Sequence, residues 1–307
     1  MISALILVTA LLHSFRKKVL RFHSHQTVTL SLLTDIISVF CAADFDVTVH
    51  ITQKQGDARE MVCKRAKEMD LIVCCGGDGT FNETITGLLR AGKKIPVGYI
   101  PAGSTNDFAV SLKLSPNIMQ AAQDIVDGEP VACDMGKFGE RYFSYVASFG
   151  AFTRATYTTP QSIKNMLGHT AYLLEGINEL SQIRNEHVRL EIDGEVVEDD
   201  FIFGAISNST SLGGVLTLDP DVVDLADGQM EILLVRAPRN LTELAECIQA
   251  VQTQKYSCSM ITFQSAKKIR IFANPFMPWT LDGEREDGHE EVLVENIHHA
   301  IQLIQKV

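Results

Sequence analysis

No stretch of this chain is apolar for long enough to cross a bilayer, which takes about 20 residues. Residues 1–12 come nearest and stop short. That segment also lacks the leading positive charge and small-residue cleavage point of a secretory signal, so a buried first strand is expected. Basic residues are scarce: 27 Lys and Arg face 38 Asp and Glu, giving a net charge of −11. A chain so acidic suits neither nucleic acid nor purely electrostatic attachment to an anionic membrane. Two local basic clusters, one of Arg16, Lys17, Lys18 and Arg21, the other of Lys267, Lys268 and Arg270, read as solvated faces. The seven cysteines contain no Cys-x-x-Cys pair, which removes a zinc signature. Their odd number and apolar surroundings fit reduced core residues of a cytosolic protein. His169, His187, His289, His298 and His299 lack paired ligand spacing, so surface or hydrogen-bonded core positions are expected of them. Internal repeats and low-complexity linkers are also missing.

What is present is a glycine loop in an informative setting. Gly76-Gly77-Asp78-Gly79-Thr80 follows the short apolar run Leu71-Ile72-Val73-Cys74-Cys75, which reads as a strand buried on both faces. After it, Phe81, Ile85 and Leu88 or Leu89 recur at helical spacing, and Gly92 stands where a helix would stop. The glycines thus fill a strand-to-helix turn. Such a turn lets backbone approach a ligand and points several N–H groups one way, at the positive end of a helix. Phosphate is the ligand this favours, and Asp78 in its midst suggests an accompanying cation such as Mg²⁺. No Gly-Lys-Ser/Thr follows, so this is not a P-loop, and it is not the dinucleotide Gly-x-Gly-x-x-Gly either.

The flanking chain alternates in a regular rhythm. Strands are expected at 4–8, 46–52, 71–75 and 95–100, and helices at 30–40, from Asp57, from Phe81 and after Ser115-Pro116. Asp57 with Glu60 three residues on is a candidate capping box. The pattern predicts a parallel sheet with helices on both faces. A second loop, Pro101-Ala102-Gly103-Ser104-Thr105-Asn106-Asp107-Phe108, follows the last of these strands, on the edge where open α/β sheets bind ligands. Past Pro130 the rhythm changes. Strands at 141–149, 188–192, 196–203, 230–235 and 269–273 predict an antiparallel sheet or sandwich, with Asp193-Gly194 as a hairpin turn. Helices are expected at 170–183, 241–252 and 295–306.

The order of motifs resembles the bacterial lipid kinases of the diacylglycerol kinase/sphingosine kinase superfamily over roughly residues 30–307. Thr52 with Gly56-Asp57 comes first, then residues 76–82, then Gly103 to Phe108. Asp134-Met135-Gly136, Gly213-Gly214, Asp224 to Met230 with Asp227-Gly228, and Leu281-Asp282-Gly283-Glu284 follow. NAD kinases share the first glycine motif but lack the Asn-Asp-Phe loop and the late Asp-Gly-Glu. One family feature is missing: the Asn-Pro-x-x-Gly turn after strand one is replaced by Thr9-Ala10-Leu11-Leu12-His13.

The resemblance implies an α/β nucleotide-binding domain at 1–131 and a mainly antiparallel β-sandwich lipid-substrate domain at 132–289. A C-terminal segment at 290–307 would pack back on the first domain. It implies that Thr52, Gly76, Gly77, Asp78, Gly79, Thr80, Phe81, Asn82 and Ser104 line the site for ATP. Asp78 and Asp107 would organise Mg²⁺ and phosphates, and Glu284 would act as the base for a lipid hydroxyl. Asp227, with backbone oxygens of Asp224 and Gln229, would hold a second, structural Mg²⁺, and Asp134 would join a hydrogen-bonded network beside it. The first functional reading is therefore an ATP- and Mg²⁺-dependent lipid kinase, with diacylglycerol heading the candidate substrates. It would be a cytoplasmic protein in peripheral contact with the membrane, and a homodimer is compatible with it. A second reading, prompted by the missing turn, is a catalytically weak nucleotide- or lipid-binding protein. A third is a kinase for a soluble substrate such as NAD, which would need Arg or Lys where acyl chains need an apolar groove.

Overall fold

The structure, a computed structural model, describes residues 2–8, 30–150, 184–212, 216–256 and 258–306. The expected helix at 170–183, His169, Gly213-Gly214 and the segment after strand one lie outside the described residues. The chain divides into two compact units, Met1–Cys133 with His299–Val307, and Asp134–His298.

The first unit is an α/β layer. Strands β1 (Ile2–Val8), β2 (Phe45–Ile51), β3 (Leu71–Gly76) and β4 (Pro96–Pro101) pair in parallel in the order β4-β3-β1-β2. The helices are α1 (Leu30–Ala42), α2 (Asp57–Arg65), α3 (Asp78–Ala91), α4 (Asp107–Ser111) and α5 (Ile118–Asp127). Strand β3 shows why its sequence is apolar without alternation. Leu71, Val73 and Cys75 pack with Leu33, Ile36 and Phe40 of α1 and with Ile118, Ala122 and Ile125 of α5. Ile72 and Cys74, on the opposite face, are fully buried as well, and the Cys74 thiol bonds to Thr84 of α3. Helix α3 stops at Gly92 in the left-handed conformation (φ 63°), as expected. Its Gly87 permits close packing on α2, since a Cβ there would lie 2.6 Å from the Arg59 carbonyl.

The expected capping box does not form. Helix α2 is preceded by Gly56 in the left-handed region, with no side-chain cap. The Asp57 carboxylate turns back instead, accepting from the Gln53 amide at 2.8 Å and lying 3.3 Å from His50 Nε2. Helix α5 starts slightly later than expected, where Asn117 caps it by accepting from the Gln120 amide at 3.0 Å.

The second unit is an antiparallel β-sandwich. Its strands are β5 (Glu129–Phe138, which begins in the first unit), β6 (Arg141–Phe143), β7 (Val146–Gly150), β8 (Glu186–Ile192) and β9 (Glu195–Ser207). The short β10 (Ser211–Leu212) and β11 (Leu216–Thr217) form a ribbon, followed by β12 (Met230–Arg236) and helix α6 (Leu241–Thr253). Strands β13 (Ile261–Ala266), β14 (Lys268–Ala273), β15 (Trp279–Leu281), β16 (Glu284–Glu286) and β17 (Glu291–Gln305) complete it. Strand β9 pairs with β8 along its first half and with β7 along its second, while β12 lies on its other edge. The enclosed core gathers Phe138, Phe149, Leu190, Ile232, Ile271 and the single Trp279. The Asp193-Gly194 hairpin forms as expected between β8 and β9.

Two expectations fail here. The stretch 141–149 is two strands, parted at Ser144 and Tyr145. The tail expected to be helical at 295–306 is the end of β17. Val292, Val294 and Asn296 are buried in alternation, and so are Ile301 and Leu303, but the phase flips between them. His299, with φ 48°, marks the flip. The interruption breaks the two-residue period of a strand and leaves Ile297, Ile301 and Ile304 at helical spacing.

Candidate functional site

Parallel pairing brings three loops to one edge of the first unit's sheet. Ile51 is level with Val8, Val8 with Cys75, and Gly76 with Pro101, so Thr52, Gly77 and Ala102 all leave the strands at their carboxyl ends. The two glycine loops touch backbone to backbone. The Ala102 amide donates to the Gly76 carbonyl at 2.8 Å, and a Cβ on Gly103 would sit 2.5 Å from the Gly77 Cα. Asn106, itself left-handed (φ 54°), closes the second loop. Its Oδ1 accepts from the Gly103 amide and its Nδ2 donates to the Gly103 carbonyl, both at 2.9 Å. Ser104 and Thr105 stand exposed at the tip.

Asp78 joins the loops. It opens α3, and its carboxylate accepts from the amides of Asp107 at 3.1 Å and Phe108 at 3.4 Å, and from the Tyr99 hydroxyl at 3.4 Å. Burial pushes its carboxyl above the ordinary range, and the two amides counter this in part. Asp107, the first residue of α4, is buried. Phe81 supports the loop from below. Its ring stacks on Tyr99 at 4.4 Å and meets Phe108 at 5.4 Å, and its amide is bonded to the Gly77 carbonyl. Gly79, Thr80 and Asn82 lie in the first turns of α3, partly exposed. Near Thr52, the Gly56 amide donates to Glu83 Oε1 at 2.6 Å, tying that loop to α3 as well.

In the second unit, Asp134 is fully buried. Its Oδ2 accepts from the Gly228 amide at 2.7 Å, and His298 Nδ1 lies 3.1 Å from Oδ1. The Asp224 to Gln229 loop is thereby fixed at its glycine. Asp224, Asp227 and Gln229 are exposed. The Asp224 and Asp227 carboxylates accept from the amides two residues on, at 2.9 and 2.8 Å, and the Gln229 carbonyl accepts from Asn296 Nδ2 at 2.7 Å.

Glu231, a residue the sequence reading missed, sits in β12 just beyond this loop. It is only 2% exposed, and among the described residues its Oε2 has no hydrogen-bond partner. Burial pushes its carboxyl up to about 7, with the charges of Asp227 and Asp224 adding to the effect. The one sequence signal was an acid inside the apolar run Met230-Glu231-Ile232-Leu233-Leu234. A buried carboxyl with one oxygen unpartnered, near enough to Asp224 and Asp227 to feel their charge, is an environment that a divalent cation relieves, so the residues present fit the expected metal. Glu231 binds its proton more tightly in the folded chain than in the unfolded one. Stability therefore falls as pH rises from the ordinary carboxyl range toward 7. In chelator-treated buffer, Glu231→Gln is expected to melt above the parent at pH 8, with the gap shrinking toward pH 5. Equal melting at pH 8 would contradict this.

Glu284 is carried on a tight hairpin. Asp282 (φ 49°) and Gly283 (φ 80°) form the turn between β15 and β16, with Leu281 opposite Glu284. Asp282 is not a mere turn residue. It is buried, and its carboxylate accepts from the amides of Ser144 at 2.6 Å, Tyr145 at 3.0 Å and Val146 at 3.1 Å. That cluster is what parts β6 from β7. The Glu284 carboxylate is half-exposed, 3.2 Å from Arg141 Nη2.

Comparison with known proteins agrees with this arrangement. Residues 23–138 match the family described as diacylglycerol kinase catalytic domain, and residues 146–305 match the YegS C-terminal NAD kinase beta sandwich-like domain. A protein named diacylglycerol kinase from Staphylococcus carnosus is 32% identical over 256 residues, 82% of this chain and 83% of that one. One of the same name from Bacillus subtilis is 30% identical over 254 residues, 82% of this chain and 84% of that one. Among solved structures, a diacylglycerol kinase from Bacillus anthracis shares the fold. Its TM-score is 0.72 at 23% identity, covering 99% of this chain and 97% of that one. The glycine loops, the Asp-Gly-Glu hairpin and these relatives lead to one conclusion: the chain belongs to the diacylglycerol kinase family and is a kinase, a phosphotransferase.

Proposed function

We propose that the chain transfers the γ-phosphoryl group of ATP to a lipid hydroxyl, with diacylglycerol as acceptor and phosphatidic acid as product. The carrying observation is the pair of glycine loops fused through Asp78 at one sheet edge, in a chain whose relatives are named diacylglycerol kinases. In this reading residues 1–131 hold ATP, through the first-turn amides of α3 and the neighbouring Thr52 and Ser104. Asp78 and Asp107 order that site, Asp78 by fixing the two loops to each other. Residues 132–289 receive the lipid, and residues 290–307 return to the first unit.

Glu284 takes the proton as the lipid oxygen bonds to the γ-phosphorus and the bond to the ADP oxygen breaks. Asp227 and the carbonyls of Asp224 and Gln229 would hold a structural Mg²⁺, beside the buried Glu231. Mg²⁺ carried with ATP supplies charge neutralisation to the phosphates. Among the described residues no helix is long and apolar enough to cross a membrane. We read the protein as cytoplasmic, meeting its lipid by peripheral contact. A homodimer is compatible with this reading.

The deciding experiment offers γ-labelled ATP with diacylglycerol, monoacylglycerol, ceramide, sphingosine and phosphatidylglycerol in mixed micelles, and NAD in solution. Label in diacylglycerol is expected. Label in NAD alone, or in nothing while another lipid kinase works in parallel, would refute the reading. The metal assignment has its own test. Asp227→Ala should lower the melting temperature and flatten its rise with added Mg²⁺, because a ligand bound only by the folded state stabilises it. An unchanged Mg²⁺ response would remove Asp227 from the site.

A further inference from the structure

Strand β16 is a weak platform for a base. It is three residues long and lies at the end of its sheet, paired among the described residues with β15 alone. Glu284 is its first residue, with a side chain 40% exposed. A glutamate in that position has three rotatable side-chain bonds and a short edge strand beneath it. The guanidinium of Arg141, reaching over from β6, spans the whole strand. Nη2 donates to Glu284 Oε2 at 3.2 Å, and Nη1 to Glu286 Oε2 at 2.5 Å and to the Arg285 carbonyl at 3.4 Å. Glu286, whose side chain is 16% exposed, is the better sheltered end of the clamp. The two glutamates stand two apart on one strand, so their side chains share a face, and one rigid fork can hold both.

We infer that Arg141 is a positioning residue for the base, held by Glu286 and holding Glu284. This rests on the assignment of Glu284 as base. The planar fork holds the Glu284 carboxylate through Oε2 and so fixes the direction in which it is presented. Lysine, with a single ammonium, cannot span both carboxylates in the same way. Loss of the clamp lets the carboxylate wander by about an ångström, a displacement that can lower turnover by up to about a hundredfold without touching nucleotide binding. The effect falls on kcat, because the orientation matters when the proton moves.

The test is steady-state turnover on diacylglycerol micelles with the full chain. Arg141→Ala is expected to lower kcat about tenfold to a hundredfold with KM for ATP unchanged, and millimolar guanidinium should restore part of it. Arg141→Lys should recover less than half of the loss. Glu286→Gln should slow turnover too, and the Arg141→Ala/Glu286→Gln double variant should be no slower than Arg141→Ala alone, since both break one clamp. Normal kcat in Arg141→Ala, with Glu284→Gln inactive, overturns this inference and leaves the base in place. A lowered kcat that guanidinium cannot restore, tracking a lowered melting temperature, also overturns it, because Arg141 would then hold only the fold. Normal turnover in Glu284→Gln instead removes the base assignment itself.

Discussion

Glu284→Gln is expected to lower turnover roughly a hundredfold or more while ATP binding stays as it was. Glutamine keeps the shape and an oxygen acceptor, so the turn at Asp282 and Gly283 and the contact with Arg141 survive largely intact. What disappears is the ability to take a proton. A lipid alcohol holds its proton far too tightly to ionise alone, so its oxygen attacks phosphorus well only if a base accepts that proton as the bond forms. Calorimetric titration with ATP beside a turnover assay separates the two quantities. Weakened ATP binding with unchanged turnover at saturation would place Glu284 in nucleotide binding. Normal values of both would end its candidacy.

Asp282→Ala should be severely damaging to the stability of the second unit. Three backbone amides, those of Ser144, Tyr145 and Val146, converge on this one carboxylate. Each buried amide left without an acceptor costs about 1–3 kcal/mol. Relaxation and water entry recover part of the sum, so a loss of about 3–5 kcal/mol is expected, at the severe end for a point change. Asp282→Asn is a sharper probe. Its amide oxygen can still serve Tyr145 and Val146, but its NH₂ group would face the Ser144 amide, donor against donor. It should fall between the parent and the alanine variant. Chemical denaturation of the three proteins measures this, and an alanine variant as stable as the parent would show that the cluster is replaceable by solvent.

Much of the first unit was legible because its signals are local. The apolar run ending in Gly76, the helical spacing after Phe81 and the stop at Gly92 each follow from the periods of strand and helix. The Asp193-Gly194 hairpin was legible for the same reason. The failures have other causes: competing hydrogen-bond partners, near or far in sequence, and the backbone angle of a single residue. Asp57 gives its carboxylate to the Gln53 amide and to His50 instead of its own helix, while Glu83, 27 residues on, takes the Gly56 amide. The break at Ser144 is set by Asp282, more than a hundred residues later. The tail at 295–306 misleads because a single left-handed residue, His299, reverses which side of the strand faces inward. Candidate site residues were nameable by motif, yet their partners were not. Asp78 suggested a cation in the sequence, while in the structure its carboxylate accepts from two amides and a hydroxyl. Arg141 and Glu231 belong to no motif, so only three-dimensional proximity and burial bring them forward.

The path of β17 has a consequence for how the protein is made. Its Gln302 and Leu303 pair in parallel with Pro96 and Val97 of β4, so the first unit's sheet contains a strand from the far end of the chain. Translation delivers that strand last. While the ribosome is producing Asp134–His298, the unit begun at the amino terminus has β4 as a bare edge, ready to pair with any strand that meets it. The second unit, whose residues Asp134–His298 are contiguous, can close first. The unit that starts first in synthesis is thus the last to receive all of its strands.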